Sequence, residues 1–474
     1  MLPTFNKSTW ILVIISTSTF IISALFCDLR PLSGDEAFSV FYAQQTLPEL
    51  IACLKNDQNP PLYFIALHYW IKATGIDLFS IRILSVIFST AALFVFGMLI
   101  KKIMSLRIAI LSMLLLILSN AFLYYSHEVR CFSLLLLLTG CSSYCFYLLY
   151  EEQNKSKGLV VLFTIINLSL VFTHYLALFF IIVQGIYFII PLKNLLRYKG
   201  ITISYICFVV LFFPWYLIIS QNVPVAGVFW LKSPTVDNYY YESVYLAGSK
   251  PIYFLLLIAA TFTTLVLIKK TSFKSIIELP RWTSYFLLIG FLPGVLLFFT
   301  AQITPVFLMR YYLYSLFPML VIIAIIIVEL KNIKVQIGAL VLVLSAFILN
   351  FTISPNKEEN WKAIADYVSE QTKKSSATII IDAEYKMRDF IYYYDRPVFE
   401  DYLHMDSIVR TKKMHPYSGV TSLPMLNKND TIIVILSHNK NNEVLELLQK
   451  SYSVSTEFNP PNNRGSVTIL SNPR

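Results

Sequence analysis

Long apolar runs recur along most of the chain, and they restrict its fold more than any other feature. A helix needs about 20 apolar residues to cross the roughly 30 Å hydrocarbon core of a bilayer. Runs of this kind lie near residues 10–27, 83–100, 108–125, 131–150, 201–220, 251–268, 283–301, 311–328 and 333–351. This pattern predicts a multi-span membrane protein and excludes an ordinary soluble globule.

Two further apolar stretches are interpreted by their length. The stretch 157–192 would be roughly 54 Å long as one helix, and Thr173-His174 divides it, so we predict two spans that meet in a tight turn. This gives about eleven transmembrane helices in all. The segment Pro60–Ala73 has only about 14 residues and is predicted to be an interfacial helix in a long first outer loop, residues 28–82.

The distribution of charge predicts the orientation of these spans. The chain has 38 basic and 28 acidic residues, but residues 352–474 contain 15 of each, so the net charge of +10 belongs to the apolar part. With a cytoplasmic N-terminus, the inner segments carry 15 basic and four acidic residues, as the positive-inside rule requires. Residues 352–474 then lie outside the cytoplasm. Because membrane orientation explains the positive charge, nucleic acid is not expected as a partner.

Residues 352–474 are predicted to form a small α/β domain after a membrane domain of residues 1–351. Its apolar segments alternate in type: helix Trp361–Val368, strand Ala377–Ile381, strand Thr431–Leu436 and helix Asn442–Gln449. This alternation predicts a partly parallel sheet. Because the tail contains neither a phosphate loop nor a nucleophile motif, we expect it to serve recognition or support.

Acidic residues gather in the first outer loop. Asp35 and Glu36 directly follow the first span, and Asp57 precedes the run Asn59-Pro60-Pro61-Leu62-Tyr63. A carboxylate partly removed from water has a raised proton affinity, which suits general-base catalysis. Structural roles are the alternative, because Ser33 with Glu36 matches a capping box and Asn59-Pro60 matches a usual helix start.

A second group of polar residues lies at the predicted outer ends of later spans: His127, Glu128, Arg130, His174, Arg310 and Tyr311. Interface ion pairing and anchoring are their structural alternatives, since ionisable groups at a membrane boundary are costly unless paired or used. In the predicted topology they share one layer with the loop acids. Carboxylates there could deprotonate a hydroxyl while arginines hold a phosphate. Because no cytoplasmic loop has a nucleotide-binding glycine motif, the activated substrate would have to arrive on a lipid.

In their order, these motifs resemble the GT-C superfamily of membrane glycosyltransferases. The resemblance is nearest to the bacterial branch related to protein O-mannosyltransferases and lipid A aminoarabinose transferases, and it covers roughly residues 10–351. Its motifs are Asp35-Glu36, Asp57-Gln58-Asn59-Pro60-Pro61-Leu62-Tyr63-Phe64, Tyr125-Ser126-His127-Glu128-Val129-Arg130, Thr173-His174-Tyr175 and Arg310-Tyr311-Tyr312. Two positions depart from the pattern: relatives often have His in place of Asn59, and Gln or Arg in place of His127.

The resemblance implies an all-α GT-C-like membrane domain in the plasma (inner) membrane. It also implies inverting transfer of a sugar from a polyprenyl-phosphate donor to an extracytoplasmic glycan, lipid or protein. Asp35 would be the catalytic base with Glu36 in support, and Arg130 and Arg310 would hold the donor phosphate. The positions matched to substrate binding are Asp57, Asn59, Tyr63, Glu128 and Tyr311. His174 matches a position that contacts a divalent cation in some relatives, and no nucleotide cofactor is expected.

Two other functions are compatible with a membrane protein of this kind. A transporter or flippase of lipid-linked sugars predicts charges near the midplane and paired repeat halves, and the sequence has neither feature. For an oligosaccharide ligase or polymerase we expect an arginine-rich outer loop. The only basic residues in the sequence of residues 221–250 are Lys232 and Lys250. A scaffold without catalytic activity would leave the acids and arginines unexplained.

Overall fold

The computed structural model describes residues 6–56, 59–221, 232–269, 274, 276–352, 360–382, 384–417, 419, 422–426, 431–437, 443–460 and 465–473. The helices up to residue 350 are α1 (Lys7–Phe26), α2 (Gly34–Ala43), α3 (Leu47–Asn56), α4 (Pro61–Thr74), α5 (Leu78–Ile103), α6 (Leu106–Ile117), α7 (Asn120–Ser126), α8 (Phe132–Tyr150), α9 (Lys157–Thr173), α10 (Leu178–Ile189), α11 (Asn194–Arg197), α12 (Lys199–Gln221), α13 (Val236–Ala247), α14 (Lys250–Ile268), α15 (Thr283–Thr300), α16 (Leu316–Glu329) and α17 (Ile333–Asn350). Short 3₁₀ helices cover Tyr175–Ala177 and Met309–Ser315.

The remaining part of the chain mixes helices and strands. Its elements are α18 (Trp361–Lys374), β1 (Ala377–Asp382), a 3₁₀ turn (Glu384–Lys386), α19 (Met387–Tyr394), α20 (Arg396–Glu400), α21 (Met405–Thr411), β2 (Met414–Tyr417), β3 (Thr431–Leu436), α22 (Glu443–Gln449), β4 (Tyr452–Phe458) and β5 (Ser466–Pro473). The predicted mostly helical protein with a small C-terminal α/β part is confirmed.

The chain forms two compact units. The first contains Met1–Cys27, Ile51–Ala66 and Arg82–Ile353, and the second contains Asp28–Leu50, Leu67–Ile81 and Ser354–Arg474. The first outer loop therefore contributes residues to both units. The domain boundary between residues 351 and 352 stays a prediction from the sequence.

Eight helical segments of the described chain are long and apolar enough to cross a membrane. They are α1, α5, α8, α12, α14, α15, the segment Met309–Glu329 that includes α16, and α17. The pair α6 and α7 makes a ninth apolar segment, bent by 70°. The segments Lys157–Thr173 and Tyr175–Ile189 are apolar but shorter. The multi-span membrane fold is thus confirmed, although three of the predicted spans differ from a single long helix.

Local sequence explains these differences. At the bend between α6 and α7, the Ser119 side chain accepts a hydrogen bond from the Phe122 backbone N–H at 3.5 Å and starts a new helix. Serine competes for backbone hydrogen bonds in this way and favours helix starts over helix interiors. Helix α9 has 17 residues and is therefore about 25 Å long. It ends where the sequence predicts, at the Thr173-His174 turn.

Burial distinguishes central from peripheral helices in the first unit. Helix α16 is buried on most of its surface, as expected for a helix that is apolar all round. Phe317 stacks on Phe96 of α5 with ring centroids 3.9 Å apart. By contrast, α17 buries only Val343 and Phe347 among its described side chains. Many of its other apolar residues, such as Val341, Leu342 and Leu349, are exposed, which suits contact with lipid.

Polar side chains connect several helices inside this apolar unit. Gln184 of α10 donates to the Tyr285 hydroxyl of α15 at 3.0 Å, and Tyr285 donates to Ser143 of α8 at 3.0 Å. Ser142 donates to Asn167 of α9 at 2.8 Å. Such bonds between helices are favoured where water is excluded. They fix the helices that carry the turns described below.

The C-terminal sheet has five strands in the order β2-β1-β3-β5-β4. Strand β1 pairs in parallel with β2 and β3, while β5 pairs antiparallel with β3 and β4. Strands β1 and β3 are buried almost throughout, which explains their continuous isoleucine-rich runs. The partly parallel sheet is confirmed. The prediction from sequence missed the short or more polar strands β2, β4 and β5.

Shortening a core side chain of this sheet should weaken the tail. Ile380 of β1 is fully buried, so we expect Ile380→Ala to cost about 2–5 kcal/mol of unfolding free energy. The measurement is the rate of tryptic cleavage within residues 360–473 of the full chain in detergent. Val454→Ala, at a side chain that is 41% exposed, is the control and should leave the rate unchanged. Equal rates for both variants would contradict the assigned core.

Candidate functional site

A 3₁₀ segment, Met309–Ser315, carries the predicted Arg310 and Tyr311 at the start of a buried helix. The Met309 backbone N–H donates to the Glu242 carboxylate at 2.6 Å, and the Tyr314 hydroxyl donates to the Leu176 carbonyl at 3.2 Å. A Cβ on Gly294 would lie 3.3 Å from the Tyr312 ring, so α15 approaches this segment closely. The backbone that carries Arg310 is therefore held from three sides.

His174 lies in the turn between α9 and the 3₁₀ helix Tyr175–Ala177. Its backbone is extended, with φ −155° and ψ 119°, and its Nδ1 accepts a hydrogen bond from the Leu176 N–H at 3.2 Å. The imidazole centroid is 5.3 Å from the Tyr311 ring and 6.1 Å from the Phe132 ring. Arg310 in turn lies over Tyr311, with its Cζ 5.7 Å from the ring centroid.

Arg130 belongs to the same cluster. It lies in the turn between α7 and α8, where its backbone N–H donates to the Glu128 carbonyl at 2.7 Å. Burial, followed by the positive charges of Arg130 and Arg310, lowers the pKa of His174 to about 3. The first unit thus brings together two half-buried guanidinium groups and a neutral imidazole, and it provides a site of positive potential for an anion.

Glu128 and Tyr63 support this turn. Glu128 is 3% exposed, and its carbonyl accepts a hydrogen bond from Ser85 at 2.7 Å. The Ser85 hydroxyl is 3.3 Å from the fully buried Tyr63 hydroxyl. These contacts connect α4 and α5 to the Arg130 turn. Tyr63 reaches that turn through Ser85, and its role in substrate binding stays a prediction.

Two other predicted residues precede α4. Asp57 lies outside the described residues. The Asn59 backbone N–H donates to the Leu54 carbonyl of α3 at 3.1 Å. Helix α4 begins at Pro61, one residue later than predicted. Binding roles for Asp57 and Asn59 stay predictions.

Asp35 and Glu36 lie in the first turn of α2, in the second unit. The capping box is present: Ser33 accepts from the Glu36 N–H at 3.4 Å, and the Glu36 Oε2 accepts from the Ser33 N–H at 2.9 Å. Glu36 is fully buried, while Asp35 is half-buried. The Asp35 carbonyl accepts from the Ser39 hydroxyl at 2.9 Å. Glu36 therefore fixes the helix start that presents Asp35.

The described residues around His174 do not suit a divalent cation. No group of three or more His, Cys, Asp or Glu side chains that could hold a metal ion occurs in the part of the chain that the structure describes. The charges that act on His174 are two guanidinium groups, which repel a cation. No chemical step is therefore assigned to a metal.

Sequence reasoning missed Glu242, which holds the backbone next to Arg310. Glu242 lies in α13, within the run Tyr239-Tyr240-Tyr241-Glu242-Ser243. The Ser243 hydroxyl lies 3.4 Å from the Tyr312 hydroxyl, so α13 contacts the Met309–Ser315 segment twice. The available signal was an acidic residue within an aromatic segment of the predicted outer loop. The sequence does not show that the partner of Glu242 is Met309, which lies 67 residues away.

Comparison with known proteins places this arrangement in a wider group. Residues 48–232 match the family model described as dolichyl-phosphate-mannose-protein mannosyltransferase. The fold is similar to the crystal structure of ArnT from Cupriavidus metallidurans bound to undecaprenyl phosphate, with a TM-score of 0.58, 13% identity and 98% of each chain covered. The apo form of the same ArnT gives a TM-score of 0.55 with the same identity and coverage. No curated protein sequence matches at a significant level.

These similarities confirm the predicted GT-C fold. The chain is a multi-pass membrane protein, and the family match covers 185 of its 474 residues. At 13% identity, the ArnT likeness shows the fold alone.

The low pKa of His174 predicts how stability depends on pH. The folded state holds the imidazole neutral down to about pH 3, whereas in the unfolded chain it takes up a proton near pH 6.5. The unfolded state therefore binds more protons below pH 6.5, and stability falls by at most about 1.4 kcal/mol per pH unit. We expect the melting temperature of His174→Gln in detergent to fall less than that of the wild type between pH 6.5 and 4.5. An equal fall in the melting temperatures of the variant and the wild type would contradict the low pKa assigned to His174.

Proposed function

We propose that this membrane protein with the GT-C glycosyltransferase fold transfers a monosaccharide from a polyprenyl-phosphate donor to an extracytoplasmic acceptor hydroxyl. The single observation that carries the proposal is the cluster of Arg130, Arg310 and neutral His174, in a chain whose residues 48–232 match a lipid-phosphate-mannose transferase family. The ArnT with a similar fold was crystallised with undecaprenyl phosphate, which supports a polyprenyl phosphate as the carrier.

The electrostatics of the first unit suit a lipid phosphate. Two guanidinium groups favour an anion, and a guanidinium group can donate two parallel hydrogen bonds to a phosphate. Because His174 is uncharged at neutral pH, it can accept or donate a hydrogen bond without adding charge. Tyr311 lies between His174 and Arg310 and offers a ring surface beside the donor.

Asp35 supports the acceptor side of the proposal. It occupies the first turn of α2, where the helix dipole stabilises a negative charge and keeps a base ready to accept a proton. Glu36 has its carboxylate in the capping box, which suits a supporting role. Asp35 is half-buried, so an acceptor can approach it.

The reaction would be a single displacement. The acceptor hydroxyl gives its proton to the Asp35 carboxylate while its oxygen bonds to the anomeric carbon. The bond between that carbon and the phosphate oxygen breaks, and its electron pair stays on the departing polyprenyl phosphate. The configuration at the anomeric carbon inverts. Arg130 and Arg310 stabilise the charge that grows on the phosphate, and this effect is strongest where water is scarce.

The charge pattern supports a site outside the cytoplasm. Inner segments carry 15 basic and four acidic residues in the proposed orientation. This orientation puts the N-terminus on the cytoplasmic side of the plasma membrane and the tail on the other side. Lipid-linked donors suit that location because nucleotide sugars are cytoplasmic. The acceptor could be a glycan, a lipid such as lipid A, or a protein hydroxyl, and the proposal does not depend on which.

Removing the proposed base should abolish transfer without unfolding the protein. We expect Asp35→Asn to lower the transfer rate about 10²–10⁴-fold, the usual contribution of a general base. The measurement is mass spectrometry of envelope glycans and lipids from cells with wild-type chain, variant chain or none. Asp237→Asn is the matched control, since Asp237 also occupies the first turn of a helix with a capping box. Full activity of a normally expressed Asp35→Asn would remove Asp35 from the mechanism.

Removing either guanidinium group should weaken carrier binding. A charge-assisted hydrogen bond contributes about 1.5–3 kcal/mol, so Arg130→Gln and Arg310→Gln should each raise the Kd for undecaprenyl phosphate about tenfold or more. Lys at either position should recover part of the affinity. Native mass spectrometry in detergent gives the Kd, and Arg197→Gln, at an exposed arginine, is the control. Unchanged affinity in both variants would place the phosphate elsewhere.

A further inference from the structure

The second unit joins the helix that carries Asp35 to the C-terminal tail. The Leu32 backbone N–H, just before α2, donates to the Tyr393 hydroxyl of α19 at 2.6 Å. At the other end of α2, the Gln44 side-chain amide donates to the Phe399 carbonyl of α20 at 3.4 Å. Helix α2 is therefore attached to the tail at both ends by residues more than 350 positions away in sequence.

Packing between the two ends completes this attachment. The Arg388 guanidinium lies over the Phe41 ring at 4.7 Å and the Tyr42 ring at 5.2 Å, measured from Cζ to the centroids. The Phe41 and Phe399 rings are 5.9 Å apart in an edge-on arrangement. Cation–π and aromatic contacts of this kind resist sliding as well as separation. The position of α2 is thus set by α19 and α20.

A buried ion pair lies against the start of α2. Lys386 Nζ is 3.4 Å from Asp389 Oδ2, and the two side chains are 8% and 0% exposed. A Cβ on Gly34 would lie 3.0 Å from that Asp389 oxygen and 3.2 Å from the Lys386 nitrogen. The pair therefore touches the backbone of the residue before Asp35. Gly34 provides the space, because any side chain would push against the two charged groups.

Stability alone does not explain such a pair. Removing two charges from water is costly, and apolar residues of similar size often stabilise a protein as well or better. The pair lies where the backbone of a proposed catalytic loop must be held to within a fraction of an ångström. A charged pair packed this closely against Gly34 leaves the start of α2 little room to shift.

We propose that Lys386 and Asp389 are positioning residues that hold the Gly34–Asp35 backbone in place for proton abstraction from the acceptor. The inference rests on the proposed function of Asp35 and deepens it. It also assigns the tail a part in catalysis, as the support of the base. The ion pair acts through Gly34 and has no contact with substrate in this proposal.

Four variants separate positioning from folding. Lys386→Met and Asp389→Leu each remove one charge of this buried pair and keep the other, so both should lower the melting temperature. The double variant removes both charges and should recover a melting temperature close to wild type. We expect its kcat to stay at least tenfold low, with the KM for the lipid donor unchanged. Lys386→Arg with Asp389 intact should restore most of kcat.

A matched control tests whether any ion pair of the tail has this effect. Lys362 and Asp366 of α18 form an exposed pair with Nζ 3.3 Å from Oδ2. The double variant Lys362→Met with Asp366→Leu should retain wild-type kcat. A Lys386→Met, Asp389→Leu protein with recovered stability and wild-type kcat would overturn the proposal.

Hydrogen exchange gives a second readout that needs no enzymatic assay. Amides of Gly34–Ala43 in the full-length protein should exchange at least tenfold faster in the Lys386→Met, Asp389→Leu protein than in the Lys362→Met, Asp366→Leu control. Equal exchange would overturn the inference even if Asp35 is the base. Faster exchange together with a fully active Asp35→Asn would instead keep the attachment and overturn the proposed role of Asp35.

Discussion

The exclusion of water from the membrane is the constraint on which the rest of this structure depends. Inside a bilayer every backbone N–H and C=O must be bonded within the protein, so the spanning segments are helices. Irregular backbone is then concentrated where helices end. The turn at His174, the turn at Arg130 and the 3₁₀ segment around Arg310 are such places. In the first unit the proposed site residues Arg130, His174 and Arg310 lie in these turns.

Each of those turns is held by contacts from distant helices. Glu242 bonds the backbone before Arg310, Tyr314 bonds the carbonyl of Leu176, and Ser85 bonds the carbonyl of Glu128. The same design recurs in the second unit, where α19 and α20 hold the helix of Asp35. In each unit the proposed site residues are thus carried on short segments whose backbone is fixed by hydrogen bonds. This fixation keeps the cost of reorganisation during the reaction low.

Local patterns in the sequence predicted much of the fold. The length of the apolar runs predicted the membrane spans, and the Thr173-His174 pair predicted the break after α9. The alternation of strands and helices predicted the parallel part of the C-terminal sheet. The grouping of Arg130, Arg310 and His174 was also predicted, because charge at a membrane boundary is costly, and their roles stay predictions. The bend at Ser119 was missed because its apolar flanks concealed a capping signal. Glu242 and the tail contacts of α2 were missed because pairing over tens or hundreds of residues leaves no local pattern.

We propose that Asp35 and the two arginines each lie on the non-cytoplasmic side of the membrane. Cysteine labelling tests it most directly. In a chain whose six native cysteines are replaced, Asp35→Cys, Arg310→Cys and Lys331→Cys each provide one reactive thiol. An impermeant maleimide added to intact spheroplasts should label positions 35 and 310 but not 331. Labelling of position 35 only after the membrane is opened would contradict the account.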